Sequence, residues 1–480
     1  MRSRIHALVL TCTLLHVPAI AQEQPSSLLL SWSELLNQPQ NRSVEKPSPP
    51  QSPAPPPAGQ AQATLPMPST PMRLTLKAAE TLALKNNPQI SVYRLLALAS
   101  VQLIREEKAA YYPNLYGSLT AVGANQGSRI AAGALNSPHL YEKAAGGLTL
   151  SQLITDFGRT NNLVAAAALR AKAADMNSIA TADQIRLAVD QAFYNTLQAF
   201  AERGVAEQTV AAHQAVSDQV TTLFQNKLRS DLDVSFANAN LAQAKLLLLD
   251  VQNNYQAALS RLSLVLGFPS QQNFELIETD TTLNPPPDSV NELVGEAYSN
   301  RPEIMAQDYE YRAAQHFQKA ERDLLLPSVE ALGVVGKVPF APTADGVQPF
   351  TSWYGAAGVN INIPIFNGFL YPARSKQATL RTQATQEQLR DLKDRIADQV
   401  RTSWLNAIAA FNRINVTQQF VDQSNLAFDL SQARYKIGLS SIVELSQAQL
   451  QQTQAQIQYA AATYQYRIAQ AVLRYEIASP

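Results

Sequence analysis

The sequence predicts a mainly α-helical chain with a membrane β-barrel, built as a duplicated helix–strand–strand–helix unit. Three observations carry this: a coiled-coil seam that occurs twice, alternating strand segments bracketed by prolines and glycines, and an export signal with no later apolar run fit for a spanning helix.

The seam is clearest near the C-terminal end. Leu445, Ala448, Gln452, Ala455, Tyr459, Ala462, Tyr466, Ala469 and Leu473 recur in alternating steps of three and four. That is a period of about 3.5, the spacing at which a helix supercoils on a partner. Just before it, Gly438 offers the left-handed residue that ends an incoming helix. Ser441 and Glu444 spell a capping box that opens the next one. A shift of 211 residues turns this seam into Val234, Ala237, Leu241, Ala244, Leu248, Val251, Tyr255, Ala258 and Leu262, five of nine identical. It also turns the cap into Ser230 with Asp233. The chain is a duplicated helical hairpin.

Composition narrows the class. Of 480 residues, 46% are hydrophobic and only 16% charged, low for a soluble coiled coil. Formal net charge is zero and falls to −2 once Arg2 and Arg4 leave with the leader. No basic patch stands out, which excludes a nucleic-acid partner. The leader is residues 1–21: a positive start, an apolar core from Ala7 to Val17 and Ala19-Ile20-Ala21 as cleavage site. Cys12 lies inside it and is not placed as a lipid-anchor cysteine. The chain that remains has no cysteine, so disulfides, thiol catalysis and cysteine metal sites are excluded together.

Residues 22–72 form an extension. It holds one apolar cluster around Trp32, then a stretch dominated by Pro, Ser, Ala and Gln that reads as a linker. The first repeat covers 73–268, a Pro/Asp/Asn-rich bridge 269–288, and the second repeat 289–480. Each repeat opens with a short helix ended by Asn-x-Pro or its echo, at Pro88 and Pro302, and a second helix follows the proline. Beyond Pro113 and Pro327 the period changes to two. Strands are predicted at 116–123, 146–153, 329–336 and 357–366, with irregular loops over 125–142 and 337–352. Val359-Asn360-Ile361-Asn362-Ile363 alternates strictly, as suits lipid on one side and water on the other. Asn360 and Asn362 are candidates for the watery side. Long helices are expected near 159–227 and 370–437, rods of roughly 100 Å at ~1.5 Å per residue.

Four strands alone leave bare edges in hydrocarbon, so the barrel needs two or more chains. At this point the chain resembles the TolC-like outer-membrane efflux proteins over about residues 73–478. The likeness rests on the Leu-Thr-Leu…Asn-Asn-Pro opening, the duplicated element order and the Gly438…Ser441…Glu444 turn. It implies a homotrimer with a twelve-stranded barrel in outer-membrane lipid and an α-barrel tunnel formed by the hairpins. It also implies docking to an inner-membrane pump through a periplasmic adaptor, for export of drugs, small molecules or polypeptides.

The resemblance places the hairpin turns at the periplasmic aperture, where Asp233 and Glu444 are the matching carboxylates. Two readings stay open: helix capping alone, or capping together with aperture lining. Tyr435 matches a family tyrosine that helps hold the closed state by hydrogen bonds. Ser440 stands where well-studied members carry arginine, Gln447 where a second acid can occur, and Lys227 replaces the first-copy glycine. Ser230, Gly438 and Ser441 are the turn caps. Tyr255 and Tyr466 read as seam packing.

Enzyme chemistry finds no support. Outside the leader there are three histidines, His139, His213 and His316, without acidic neighbours at metal-ligand spacing. Neither a phosphate loop nor a nucleophile elbow is present, and no cofactor is expected. The alternative is a periplasmic coiled-coil adaptor or structural protein without a barrel, which accounts for the hairpins but not for the four strands.

Overall fold

The computed structural model describes residues 72–123, 143–278, 282–343 and 346–478. The leader, nearly all of the extension and the loop 125–142 lie outside them. In chain order the elements are β1 (Met72–Thr75), α1 (Leu76–Asn86), α2 (Pro88–Lys108), β2 (Asn114–Val122), β3 (Lys143–Thr155), α3 (Arg159–Gln225) and α4 (Asp231–Val265). The second half runs β4 (Phe274–Ile277), α5 (Val290–Asn300), α6 (Pro302–Asp323), β5 (Ser328–Thr343), β6 (Gly346–Asn362), α7 (Leu370–Lys436) and α8 (Ile442–Glu476). None of the described helices is long and apolar enough to cross a membrane.

The duplication is exact in length: α3 and α7 have 67 residues each, α4 and α8 have 35 each. Each long helix packs over one part on the helix before the strands and over another on its return helix. All eighteen seam residues are buried or half-buried. The two main cores are copies of one another. Ile185, Val189, Leu262 and Leu266 in the first recur as Ile396, Val400, Leu473 and Ile477 in the second. Prolines start α2 and α6, where the missing N–H would find no partner.

The strands form one antiparallel sheet in the order β2-β3-β5-β6. Its register sorts the side chains by face. Leu115, Leu119, Leu148, Leu150, Val335, Val359 and Ile361 share one face, while Ser118, Thr149, Ser151, Glu330, Asn360 and Asn362 share the other. Gly336 is required there, because a Cβ would sit 2.4 Å from the Tyr354 ring.

Three expectations need correction. Residues 337–352 are not an irregular loop: β5 and β6 run through most of them, paired as far as Thr343 and Gly346. β3 leaves β5 at Phe340, so Pro342 keeps β6 as a neighbour on one side only, an edge position of the kind that tolerates proline. β6 stops at Asn362 rather than at residue 366, just ahead of Pro364. The bridge 269–288 carries β4, which pairs in parallel with an unforeseen β1, Met72 opposite Phe274 and Thr75 opposite Ile277.

Candidate functional site: the paired hairpin ends

The two hairpin turns share one backbone solution. In the first, Lys227 N donates to Phe224 O at 2.8 Å and Leu228 N to Leu223 O at 2.9 Å. In the second, Gly438 N donates to Tyr435 O at 3.1 Å and Leu439 N to Arg434 O at 2.9 Å. This is the Schellman closure, which needs one left-handed residue. Gly438 takes it at φ 80° at no steric cost, and Lys227 takes it at φ 60° against its own Cβ.

The caps that follow differ. Asp233 N donates to Ser230 Oγ at 3.2 Å, and Ser230 N donates back to Asp233 Oδ2 at 3.0 Å, a complete capping box. Glu444 N likewise donates to Ser441 Oγ at 3.2 Å. The return bond expected from the sequence is not made. The Glu444 carboxylate faces the Arg434 guanidinium at 3.6 Å, an exposed pair across the turn. The Glu444 side chain turns toward that charge instead of back to the Ser441 N–H.

Tyr435 is 2% exposed and packs with Val216, Val220, Ala237, Ile442 and Leu445. Its phenol finds no hydrogen-bond partner among the described residues, unlike the bonded tyrosine that the resemblance implies. What grips it is Arg229. The guanidinium lies 4.3 Å from the ring centroid, and Nη2 donates to the Tyr435 carbonyl at 2.9 Å. Burial raises the phenol pKa, the Arg229 charge opposes this and Asp233 adds to it. Arg229 sits 211 positions before Ser440, so the arginine missing from the second turn is present in the first. The internal repeat was the signal that could have found it.

Ser440 Oγ donates to Ser431 O at 3.4 Å and is confined to its own turn. Gln447 is exposed and lines a cavity of about 570 Å³ between α3, α4 and α8, with His213, Phe236, Asn240 and Leu450. Cross-links tie the hairpins further along: Asn240 Nδ2 donates to Ser446 Oγ at 2.7 Å, and the Thr209 and Thr453 hydroxyls meet at 3.2 Å. Tyr466 is fully buried and donates its hydroxyl to Asn284 O, while half-buried Tyr255 packs on Phe200 under the Arg203 guanidinium.

A second polar centre, absent from the sequence reading, lies where α5 meets α6. Arg301 is 5% exposed and bonds Glu303 at 2.9 Å and Glu476 at 2.5 Å. Burial opposes its charge, but hydrogen bonds and attraction to Glu303 and then Glu476 outweigh it and raise the guanidinium pKa. Burial likewise pushes against Glu303, whose bonds to Arg301 prevail and lower its pKa; at Glu476 burial prevails and raises it. No group of three or more potential metal ligands occurs among the described residues.

The comparisons agree with this architecture. The chain is 26% identical over 395 residues to outer membrane protein TolC of Salmonella enteritidis, covering 78% of this chain and 77% of that one. It is 26% identical over 381 residues to TolC of Escherichia coli, covering 76% and 74%. Its fold matches the outer membrane protein VceC of Vibrio cholerae with a TM-score of 0.71 at 20% identity, over 84% of this chain and 95% of that one. Residues 81–268 and 293–477 match the outer membrane efflux protein family, the two segments falling on the two structural repeats. The chain belongs to the outer membrane efflux protein family.

Proposed function

We propose that three copies of this chain close into one channel that is the exit duct of an export system. An inner-membrane pump, reached through a periplasmic adaptor, would feed it with small molecules, drugs or polypeptides. The observation that carries this reading is the four-stranded sheet with β2 and β6 as its edges. Unpaired backbone edges are untenable in hydrocarbon, so the sheet of one chain needs the sheets of others. Three copies supply twelve strands, with the Asn360 face turned to water and the Val359 face to lipid. The exposed Val92, Leu95, Leu96, Leu98 and Leu103 of α2 support a packed neighbour.

In this reading the rods α3, α4, α7 and α8 wall a tunnel, and the hairpin ends form its aperture. Asp233 and Glu444 would ring it with two carboxylates per chain, with Tyr435, Ser440 and Gln447 beside them. Residues 1–21 act as a removable leader without lipid anchor, and 22–72 as a linker outside barrel and tunnel. The body is read as two repeats, 73–268 and 289–480, joined by 269–288. The chain does no catalysis and needs no cofactor.

Single-channel conductance of the detergent-purified protein in a planar bilayer tests this. A small cation-preferring conductance that changes in Asp233→Ala/Glu444→Ala is the expected result. A channel unaltered by the double substitution reduces both acids to caps, and protein that dissolves without detergent and forms no channel overturns the duct.

A further inference from the structure

Short helix α1 lies on α3 and on the core that α3 shares with α4 and β4. At its edge is a cavity of about 480 Å³ lined by Glu80 of α1, by Asp183, Arg186 and Asp190 of α3, and by Arg474 of α8. Asp190 is 8% exposed, and its Oδ1 accepts no hydrogen bond from an amide, hydroxyl or guanidinium among the described residues. The nearest cation, Arg474 Nη2, stays 3.9 Å from Oδ2 and is half in solvent. Arg186 is engaged elsewhere, at 2.6 Å from Asp183. The group that faces Asp190 across this cavity is the Glu80 carboxyl.

Two ionised carboxylates repel most where one of them is buried, as Asp190 is, and one proton between them removes that repulsion. We propose that Glu80 and Asp190 hold one proton between them and form a pH-controlled clasp between α1 and the α3–α8 layer. The pair is not a demand of the fold. The corresponding positions of the second repeat, at the offsets of 214 for the short helix and 211 for the long one, are Val294 and Arg401.

The charges around Asp190 set the sign. Burial and then the Glu80 charge push its pKa up to about 7, against Arg474 and Arg186. Tyr194, one turn on along α3, is neutral there, its own pKa raised by burial above the phenol range. Unfolded aspartate titrates near ~3.9. The folded value is higher, so the clasp stabilises fully below the unfolded pKa, and the contribution is lost as pH rises through about 7. In slightly acid surroundings α1 is held; in alkaline ones the two carboxylates repel and α1 loosens. The proposal stands apart from the export role and survives if that role fails.

The test uses the full-length, detergent-purified protein. Amide exchange of the α1 segment, corrected for intrinsic exchange, should show protection falling about tenfold between about pH 6 and about pH 8 in the wild type. Asp190→Asn, a neutral near-isostere, should keep its protection across that range. An infrared band of a protonated carboxyl should be present at the lower pH, lost at the higher, and absent from Asp190→Asn. Glu80→Gln, which removes the repelling charge, should also flatten the exchange profile. Wild-type protection that ignores pH, or a pH profile that either variant retains, overturns the clasp.

Discussion

Arg229 in the first hairpin turn grips Tyr435 in the second, with Nη2 2.9 Å from the carbonyl and the guanidinium 4.3 Å above the ring. One side chain thereby joins the two hairpin ends of a chain. The same carbonyl also receives Gly438 N at 3.1 Å, so the tie reaches the residue that terminates α7. Arg229→Ala removes a charged hydrogen bond and a cation–π contact, together about 1–3 kcal/mol. The hairpin ends should separate more readily, seen as a larger single-channel conductance. Arg229→Lys should give most of the same effect, because an ammonium lacks the planar face that stacks.

Lys227 holds a left-handed conformation at φ 60° that Gly438 holds freely in the second turn. Lys227→Gly should therefore stabilise the first hairpin by about 1 kcal/mol, and Lys227→Val should destabilise it. Thermal melts of the purified protein check both. An unchanged melting point in each would place the strain elsewhere.

The two acids at the hairpin ends should separate by role. Asp233 completes a reciprocal capping box, so Asp233→Ala should cost about 1 kcal/mol and raise amide exchange in the first turn of α4. Glu444→Ala leaves the Ser441 cap in place and breaks only an exposed pair with Arg434, worth well under ~1 kcal/mol. Its effect on α8 exchange should be small.

Arg301 is the buried cation on which Glu303 and Glu476 depend. Arg301→Ala should lose about 3–5 kcal/mol by stranding two carboxylates. The contribution of Glu303 to the pH response should also change sign. In the wild type the Glu303 pKa is depressed, so its stabilisation is present above the unfolded value of ~4.3 and lost as pH falls through the folded one. In Arg301→Met the stranded acids prefer protons, and mild acid should raise the melting point. A parallel pH profile in wild type and variant would show the acids are not paired as described.

Deleting residues 22–70 should leave the oligomer intact, checked by the mass of the detergent-solubilised particle. Its loss would give the extension a structural part that its proline-rich composition does not suggest.

Most of the helical frame was legible because its determinants are local. Gly438, Ser230 and Ser441 mark turn ends within a few residues, and the seam repeats at helical spacing, so rod lengths and packing faces followed from the chain alone. The strands were legible in number and order, less so in extent. Pro342, Gly346 and Pro349 read as loop, yet the pairing of β5 with β6 carries both strands through them. Cross-strand hydrogen bonds overrode local preference there. The parallel pair of β1 with β4 joins residues about two hundred positions apart and leaves no local period to find.

Duplication, hairpin lengths and amphipathic faces thus belonged to the amino-acid order, since caps and periodicity act between near neighbours. Tertiary structure alone decided that Arg229 reaches Tyr435, that Arg301 is shared by Glu303 and Glu476, and that Glu80 meets Asp190. Apart from the local Arg301–Glu303 bond, each joins groups far apart in the chain, and burial multiplies the strength of their charges only once the elements that carry them have packed.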